Sequence, residues 1–104
     1  MIFHFQTGDV TFFDEDKEYF QKRLFPLKKL LGWESGDDDT VDVQVKIAKN
    51  KHHTGDKFES SVTILAPNGG KFHANVSADT IRKCVDMAQE KIKVQIAKFH
   101  GKKK

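Results

Sequence analysis

Three segments of this chain alternate apolar and polar residues with the two-residue period of a half-buried β-strand. They span residues 41–47, 58–64 and 72–76, and their apolar positions are mostly Val, Ile and Phe. Residues 67–70, Pro-Asn-Gly-Gly, are a strong hairpin signal because Asn and Gly accept the positive φ of tight turns. Residues 50–57 indicate a second, longer hairpin loop. The pattern predicts an antiparallel meander with one apolar face, which another layer must cover.

The last quarter of the chain follows the period of an α-helix. Apolar residues recur there at i, i+3, i+4 and i+7 and form one stripe on a helical wheel. Ser77 or Asp79 is expected to cap this helix. Because Cys84 lies within the stripe, we expect a buried and unreactive thiol. The stripe consists of Ile81, Cys84, Val85, Ala88, Ile92, Ile96 and Phe99.

The first third of the chain predicts one strand and one helix. Residues 2–6 form a short strand, and Gly8-Asp9 indicates the turn that follows it. Acidic residues at 14–16 suit the start of a helix, and Lys28 and Lys29 suit its end, because these charges oppose the helix dipole.

A proline interrupts this first helix. Pro26 removes a backbone donor and clashes with the preceding turn at a cost of about 3 kcal/mol, so we expect a kink or a break there. Gly32 is a natural stop. The buried stripe is expected to comprise Phe20, Leu24, Leu27 and Leu31.

The predicted elements follow the order β-α-β-β-β-α. This order indicates an α+β two-layer sandwich, in which a four-stranded sheet carries two helices on one face. A chain of 104 residues is expected to form a single domain, residues 1–104. The sequence contains no apolar run long enough to span a bilayer and does not begin like a signal peptide, and its single cysteine suits a reducing compartment, so we expect a cytoplasmic protein.

Positive charge is concentrated at the C-terminal end. Residues 79–104 carry eight Lys or Arg against three Asp or Glu, whereas the rest of the chain carries ten against twelve. On the helical wheel Lys91, Lys98 and Lys102 line one edge of the apolar stripe, Arg82 and Lys93 line the other, and Asp79, Asp86 and Glu90 lie at the back. A lysine row followed by a basic tail favours a polyanionic partner such as nucleic acid. A solvated helix face is the alternative.

Catalytic and metal sites find little support in the sequence. Asp37-Asp38-Asp39 lacks the glycine and glutamate positions of a calcium loop. His52, His53 and His73 do not have the spacing of a zinc finger. The chain has no glycine-rich phosphate loop and no nucleophile elbow. We therefore expect no enzyme activity, no metal, no cofactor and no small-molecule substrate.

Several short sequences, taken in order along the chain, form a pattern that is found in a known protein family. They are Thr7-Gly8 with Val10-Thr11-Phe12, Lys22-Arg23-Leu24 with Leu27 and Lys29, Val43 to Lys49 with His53-Thr54, Asn68-Gly69-Gly70 with Phe72-His73-Ala74, and Lys91-Ile92 with Gln95-Ile96 and Lys98. The pattern resembles the bacterial ribosome hibernation promoting factor and ribosome-associated translation inhibitor family, also known as sigma-factor modulation proteins. The resemblance extends over nearly the whole chain, although Thr80, Arg82, Cys84, Val85 and Val94 replace residues usual in the family and Pro26 interrupts its first helix.

The resemblance implies a fold like that of the double-stranded-RNA-binding domain and a short family member, with one ribosome-binding domain and a basic C-terminal tail. Such proteins bind the small ribosomal subunit, contact ribosomal RNA and neighbouring ribosomal proteins, and block the mRNA and tRNA channel in stationary phase or stress. We expect a monomer off the ribosome. The residues expected to contact ribosomal RNA are Lys22, Arg23, Lys29, Lys91, Lys98 and Lys102.

A small protein-interaction module is the alternative from another class. The acidic residues 37–42 suit a basic partner, for example a transcription factor that the protein would modulate. Met87 and Val94 lie beside the lysine row as a small exposed apolar patch, which suits either RNA or a protein.

Overall fold

The computed structural model of the chain has the predicted order of elements. It describes residues 2–8, 10–27, 41–49, 58–66 and 70–102, with side chains as far as Lys98. The α+β class and the order β-α-β-β-β-α are confirmed. The elements are β1 (Ile2–Gln6), α1 (Asp14–Leu24), β2 (Asp42–Lys49), β3 (Phe58–Leu65), β4 (Lys71–Ala78) and α2 (Ile81–Lys102).

The four strands form one sheet in the order β1-β2-β3-β4. Strands β2, β3 and β4 pair antiparallel, as expected for a meander, and the Ala66 N–H donates to the Gly70 carbonyl at 2.8 Å where β3 and β4 are joined. Strand β1 instead pairs parallel to β2. The predicted meander did not include β1, whose pairing is parallel because a helix-containing crossover returns the chain to the same end of the sheet.

One face of the sheet and the two helices enclose the core. Val43, Ile64 and Phe72 lie side by side in the register of β2, β3 and β4, and all three are buried. From β1, the Phe5 ring packs edge-on against Phe20 of α1, with the ring centres 5.8 Å apart. The opposite, open face carries mostly polar side chains that are exposed or half-buried. The buried apolar face and the open polar face confirm the predicted two-layer arrangement.

Helix α1 begins with acidic residues and ends before its proline. Asp16 Oδ2 accepts a hydrogen bond from the Phe13 N–H at 3.2 Å, which satisfies one free donor at the helix start. The helix ends at Leu24, and the chain turns at Phe25 and Pro26, so the break expected at Pro26 is confirmed. Phe20, Leu24 and Leu27 are buried as predicted. Leu31, Gly32 and the lysines at 28 and 29 lie outside the described residues.

Helix α2 has a different cap from the one expected. Thr80 Oγ1 accepts a hydrogen bond from the Lys83 N–H at 3.1 Å, so Thr80 rather than Ser77 or Asp79 is the N-cap. The cap is one residue beyond Asp79, which instead forms an ion pair with Lys83 at 3.2 Å. The predicted stripe is buried at Cys84, Val85, Ala88, Ile92 and Ile96 and half-buried at Ile81, whereas the Phe99 side chain lies outside the described residues.

Neither described helix could cross a membrane. Both lack, over the residues that the structure describes, an apolar stretch of the required length.

Candidate nucleic-acid interface

Helix α2 divides into a buried face and two flanks with different neighbours. One flank faces α1 through Asp86 and Gln89, and the other follows the outer edge of β4 through Lys91 and Gln95. The two flanks lie about 160° apart on a wheel that advances 100° per residue. Basic residues on opposite flanks therefore belong to separate surfaces.

The surface on the β4 side is a row of alternating apolar and basic side chains, here called the outer row. It consists of Met87, Lys91, Val94 and Lys98, which follow one another at i, i+4, i+7 and i+11. Met87 is 41% exposed and Val94 is 53% exposed, and both lysines are exposed as well. The row confirms the small exposed apolar patch predicted beside the lysines. Lys102 continues the spacing, but its side chain lies outside the described part.

Two outer-flank side chains are bound to the edge of β4. Lys91 Nζ donates to the Asn75 carbonyl at 3.0 Å. Gln95 Oε1 accepts from the His73 N–H at 2.9 Å, and Gln95 Nε2 donates to the His73 carbonyl. These contacts fix the position of Lys91 above the strand edge. An ammonium group has three donor hydrogens, so Lys91 can hold the carbonyl and still bind an anion.

The flank that faces α1 is built around one carboxylate. Tyr19 donates its hydroxyl hydrogen to Asp86 Oδ1 at 2.7 Å, and Arg23 Nε lies 3.0 Å from the same oxygen. Arg82 lies over the Tyr19 ring, 5.1 Å from its centre, as a cation–π contact. The sequence placed Asp86 at the back of the helix, and its contacts with Tyr19 and Arg23 were not predicted. A helical wheel does not show where a second helix packs.

The hydrogen bond to Asp86 also changes the acidity of Tyr19. It is the main cause that raises the pKa of the Tyr19 hydroxyl above its ordinary value, with desolvation as the next cause. Ionised Tyr19 would lose its donor hydrogen and place a second negative charge beside the carboxylate. The neutral phenol is therefore the form that joins the helices.

The predicted RNA-binding residues are distributed over two surfaces. Lys91 and Lys98 share the outer row, whereas Lys22 and Arg23 lie on α1. Lys22 is exposed. Arg23 is half-buried and is committed to Asp86, and it also donates to Gln89 at 3.1 Å. The structure therefore gives Arg23 a role in holding the helices together, which sequence reasoning missed.

The sequence analysis included Gln95 among the residues that carry the family resemblance but assigned it no role. Its position four residues after Lys91 places both on one flank. Lys29 lies outside the described residues, as do His52, His53 and Asp37 to Asp39. Among the residues that the structure describes, no group of three His, Cys, Asp or Glu side chains could hold a metal ion.

Comparison with known proteins agrees with this fold. A ribosomal subunit interface protein from Coxiella burnetii is similar in structure, with a TM-score of 0.71 at 19% identity over 97% of this chain and 99% of that one. The N-terminal domain of Protein Y from Thermus thermophilus has a TM-score of 0.73 at 16% identity, over 95% of this chain and 99% of that one. No curated protein sequence matched. A family profile described as sigma 54 modulation protein / S30EA ribosomal protein matches residues 3–104, and the chain therefore belongs to this family, Ribosomal S30AE.

Proposed function

We propose that this protein binds the small ribosomal subunit and inhibits translation by occupying the channel used by mRNA and tRNA. The family consists of ribosome-associated factors rather than enzymes, so occupancy rather than chemistry is the mechanism. The outer row, a basic surface on a rigid helix, is the observation that supports assigning this function to particular residues. In this proposal the protein is cytoplasmic and monomeric off the ribosome, and it acts in stationary phase or stress.

The outer row has the chemistry of a phosphate-binding surface. Lys91 and Lys98 are exposed cations on one flank of α2, and the burial of Ile92 and Ile96 holds that flank in a fixed orientation. Lysine contacts with phosphates release counterions and do not depend on base sequence. Met87 and Val94, which belong to the same row, together offer apolar contact to a sugar, a base or a ribosomal protein. Lys102 would extend the row by one helical turn.

Helix α1 supplies a second basic surface in this proposal. Lys22 is an exposed residue of α1 and is proposed to bind phosphate, with Lys29 as a further candidate. Arg23 acts chiefly through its contact with Asp86, which holds α1 against α2. Two surfaces on different sides of the molecule suit a protein wedged between two parts of a larger RNA assembly.

Co-sedimentation with purified small subunits tests the proposal, together with a purified initiation assay. Wild-type protein is expected to pellet with the subunits and to slow initiation at micromolar concentration. Binding should fall by roughly a hundredfold or more between low and moderate salt if several phosphates are contacted. Changing Lys91 and Lys98 together to Glu should abolish most of the binding, because both contacts become repulsive.

A charge-matched variant separates the outer row from net charge. Lys49 and Lys71 are exposed lysines outside both α1 and the row, and changing both to Glu alters the net charge equally. This control should retain most of the binding. If wild-type protein neither pellets with small subunits nor slows initiation, the proposal fails. A protein-interaction role, such as modulation of a transcription factor, would then be the better interpretation.

A further inference from the structure

The open face of the sheet contains a groove that neither helix fills. It has a volume of about 740 Å³ and crosses the strands rather than following them. Its floor includes Gln6, Lys46, Ser61 and Asn75, which lie side by side in the register of the four strands. These side chains belong to the face opposite the core. The groove is therefore accessible and its floor is polar.

A chain of hydrogen bonds orders part of this floor. Thr63 Oγ1 lies 2.7 Å from His73 Nδ1, and His73 Nε2 lies 3.2 Å from Asn75 Oδ1. The Ser61 hydroxyl donates to the same Asn75 oxygen. With the Thr63 hydroxyl donating to Nδ1, the ring hydrogen is on Nε2 and is donated to Asn75. Both contacts use the amide oxygen, so Asn75 has its Nδ2 hydrogens to offer a ligand.

Two lysines line the groove. Lys46 on β2 lies in its floor next to Gln6 of β1, and Lys91 lines it from the outer edge of β4. Glu59 is the one carboxylate among its described lining residues. Two cations separated by hydroxyl and amide groups suit a ligand with spaced negative charges. A carboxylate between them disfavours phosphate there but can accept a hydrogen bond from a sugar hydroxyl.

The groove is continuous with the outer row of α2. Met87 and Lys91 belong to that row and also line the groove. Lys91 Nζ is held at the strand edge, 3.0 Å from the Asn75 carbonyl, at the point where the two surfaces meet. A polyanion bound along the outer row can therefore pass over the edge of β4 while it stays in contact with the charge of Lys91.

We propose that this groove binds a segment of single-stranded RNA that continues from the outer row across the open face of the sheet to Lys46. The inference rests on the proposed function, because the outer row must bind RNA first. None of the groove's described lining residues is aromatic, so bases are not held by stacking. Recognition acts on the backbone: the lysines bind phosphates, and Glu59 and Asn75 contact the 2′-hydroxyl groups that distinguish RNA from DNA.

Binding of a fluorescent twelve-nucleotide oligouridine to the full chain tests this inference. Changing Lys46 to Glu should weaken binding about tenfold and reduce the slope of log affinity against log salt by about 0.7, the value for one phosphate of a single strand. Lys71→Glu is the matched control, since Lys71 is an exposed lysine on the same face but outside the groove. It should change the affinity less than twofold. The DNA oligomer of the same length should bind more weakly than the RNA.

Amide chemical shifts locate the RNA independently of charge. On titration of the wild-type protein, Ser61 and Asn75 should shift together with Lys91, whereas the core-facing Val62 should not. If the Lys91 and Lys98 double variant loses RNA binding but Lys46→Glu binds like Lys71→Glu and Ser61 does not shift, the groove inference is wrong and the proposed function stands. If wild-type protein binds neither RNA nor small subunits, both fail.

Discussion

The carboxamide of Gln95 pairs with the backbone of His73 as a neighbouring strand would. It accepts from the His73 N–H at 2.9 Å and donates to the His73 carbonyl. Because β4 lies at one end of the described sheet, its outward N–H and C=O groups would otherwise be available to another chain. One side chain of α2 therefore both anchors the helix and protects the sheet edge.

Replacing Gln95 with Ala should remove both functions. Two hydrogen bonds at a half-exposed site correspond to a loss of about 1–2 kcal/mol in the free energy of unfolding. The exposed edge should also promote self-association, measurable by light scattering at high protein concentration. Gln44→Ala, at an exposed position on β2, is the control and should change neither quantity. Equal stability and equal mass for the Gln95 variant would show that the pairing is unimportant in solution.

Tyr19 should ionise at higher pH than an ordinary tyrosine. Because it is the only tyrosine of the chain, the absorbance of tyrosinate near 295 nm follows this group alone. Asp86→Asn removes the carboxylate charge, so it should move the pKa of Tyr19 back toward its ordinary value of about 10. An unchanged titration in this variant would mean that the hydrogen bond does not form.

The raised pKa of Tyr19 also predicts how stability depends on pH. The folded state binds the phenolic proton more tightly than the unfolded state does. This contribution to stability is fully present below the ordinary pKa of about 10 and is lost as pH rises through the raised pKa of the folded state. From neutral to alkaline pH the wild type should therefore lose more stability than Asp86→Asn, when each protein is compared with its own stability at neutral pH.

The sequence predicted those features that follow from one element at a time. Alternation located β2, β3 and β4, and the helical stripe identified Cys84 and Ile92 as core residues. The break at Pro26 followed from the chemistry of proline alone. Each of these is a local consequence of side-chain period or backbone restriction, so no knowledge of neighbouring elements was needed.

Features that depend on how elements meet could not be predicted in the same way. Asp86 contacts Tyr19 across 67 residues of sequence, and Gln95 contacts His73 across 22. Both contacts depend on the packing of α2 against another element, which a helical wheel does not contain. The separation of Lys22 from Lys91 has the same origin. The parallel pairing of β1 could have been predicted from the order of elements, because a helix between adjacent strands favours a parallel crossover.

A pair of substitutions on α2 tests the buried stripe. Ile92 is fully buried, and Ile92→Ala should lower the free energy of unfolding by about 2–5 kcal/mol because it leaves a cavity. Val94, two residues away, is 53% exposed. Val94→Ala should therefore change stability by less than about 0.5 kcal/mol. Denaturant unfolding followed by circular dichroism gives both values, and similar losses for the two variants would contradict the assigned orientation of the helix.

Cys84 should be slow to react in the native protein. It is 1% exposed and lies 3.8 Å from the Phe58 carbonyl, so a thiol reagent reaches it only when the structure opens. Labelling with Ellman's reagent should be slow in buffer and immediate in denaturant. Because the chain has one cysteine, the absorbance reports this residue alone. Immediate labelling of folded protein would show that the α2 stripe is accessible.

Salt dependence can separate the two adjacent basic residues of α1. The charge of Arg23 is paired with Asp86 within the protein, whereas Lys22 is exposed. Arg23→Gln combined with Asp86→Asn removes the ion pair without altering net charge, and should leave the slope of log affinity for small subunits against log salt unchanged. Lys22→Gln should make that slope shallower by roughly one, as expected for one lost phosphate contact.

The stability of the two α1 variants provides the complementary measurement. Removal of the Arg23 ion pair should cost at most about 1 kcal/mol, because both side chains are partly exposed. Lys22→Gln should cost less. If the paired variant instead flattens the salt slope as much as Lys22→Gln does, Arg23 contacts phosphate in the complex. It must then exchange Asp86 for RNA on binding, and the contact between the helices would be a feature of the free protein alone.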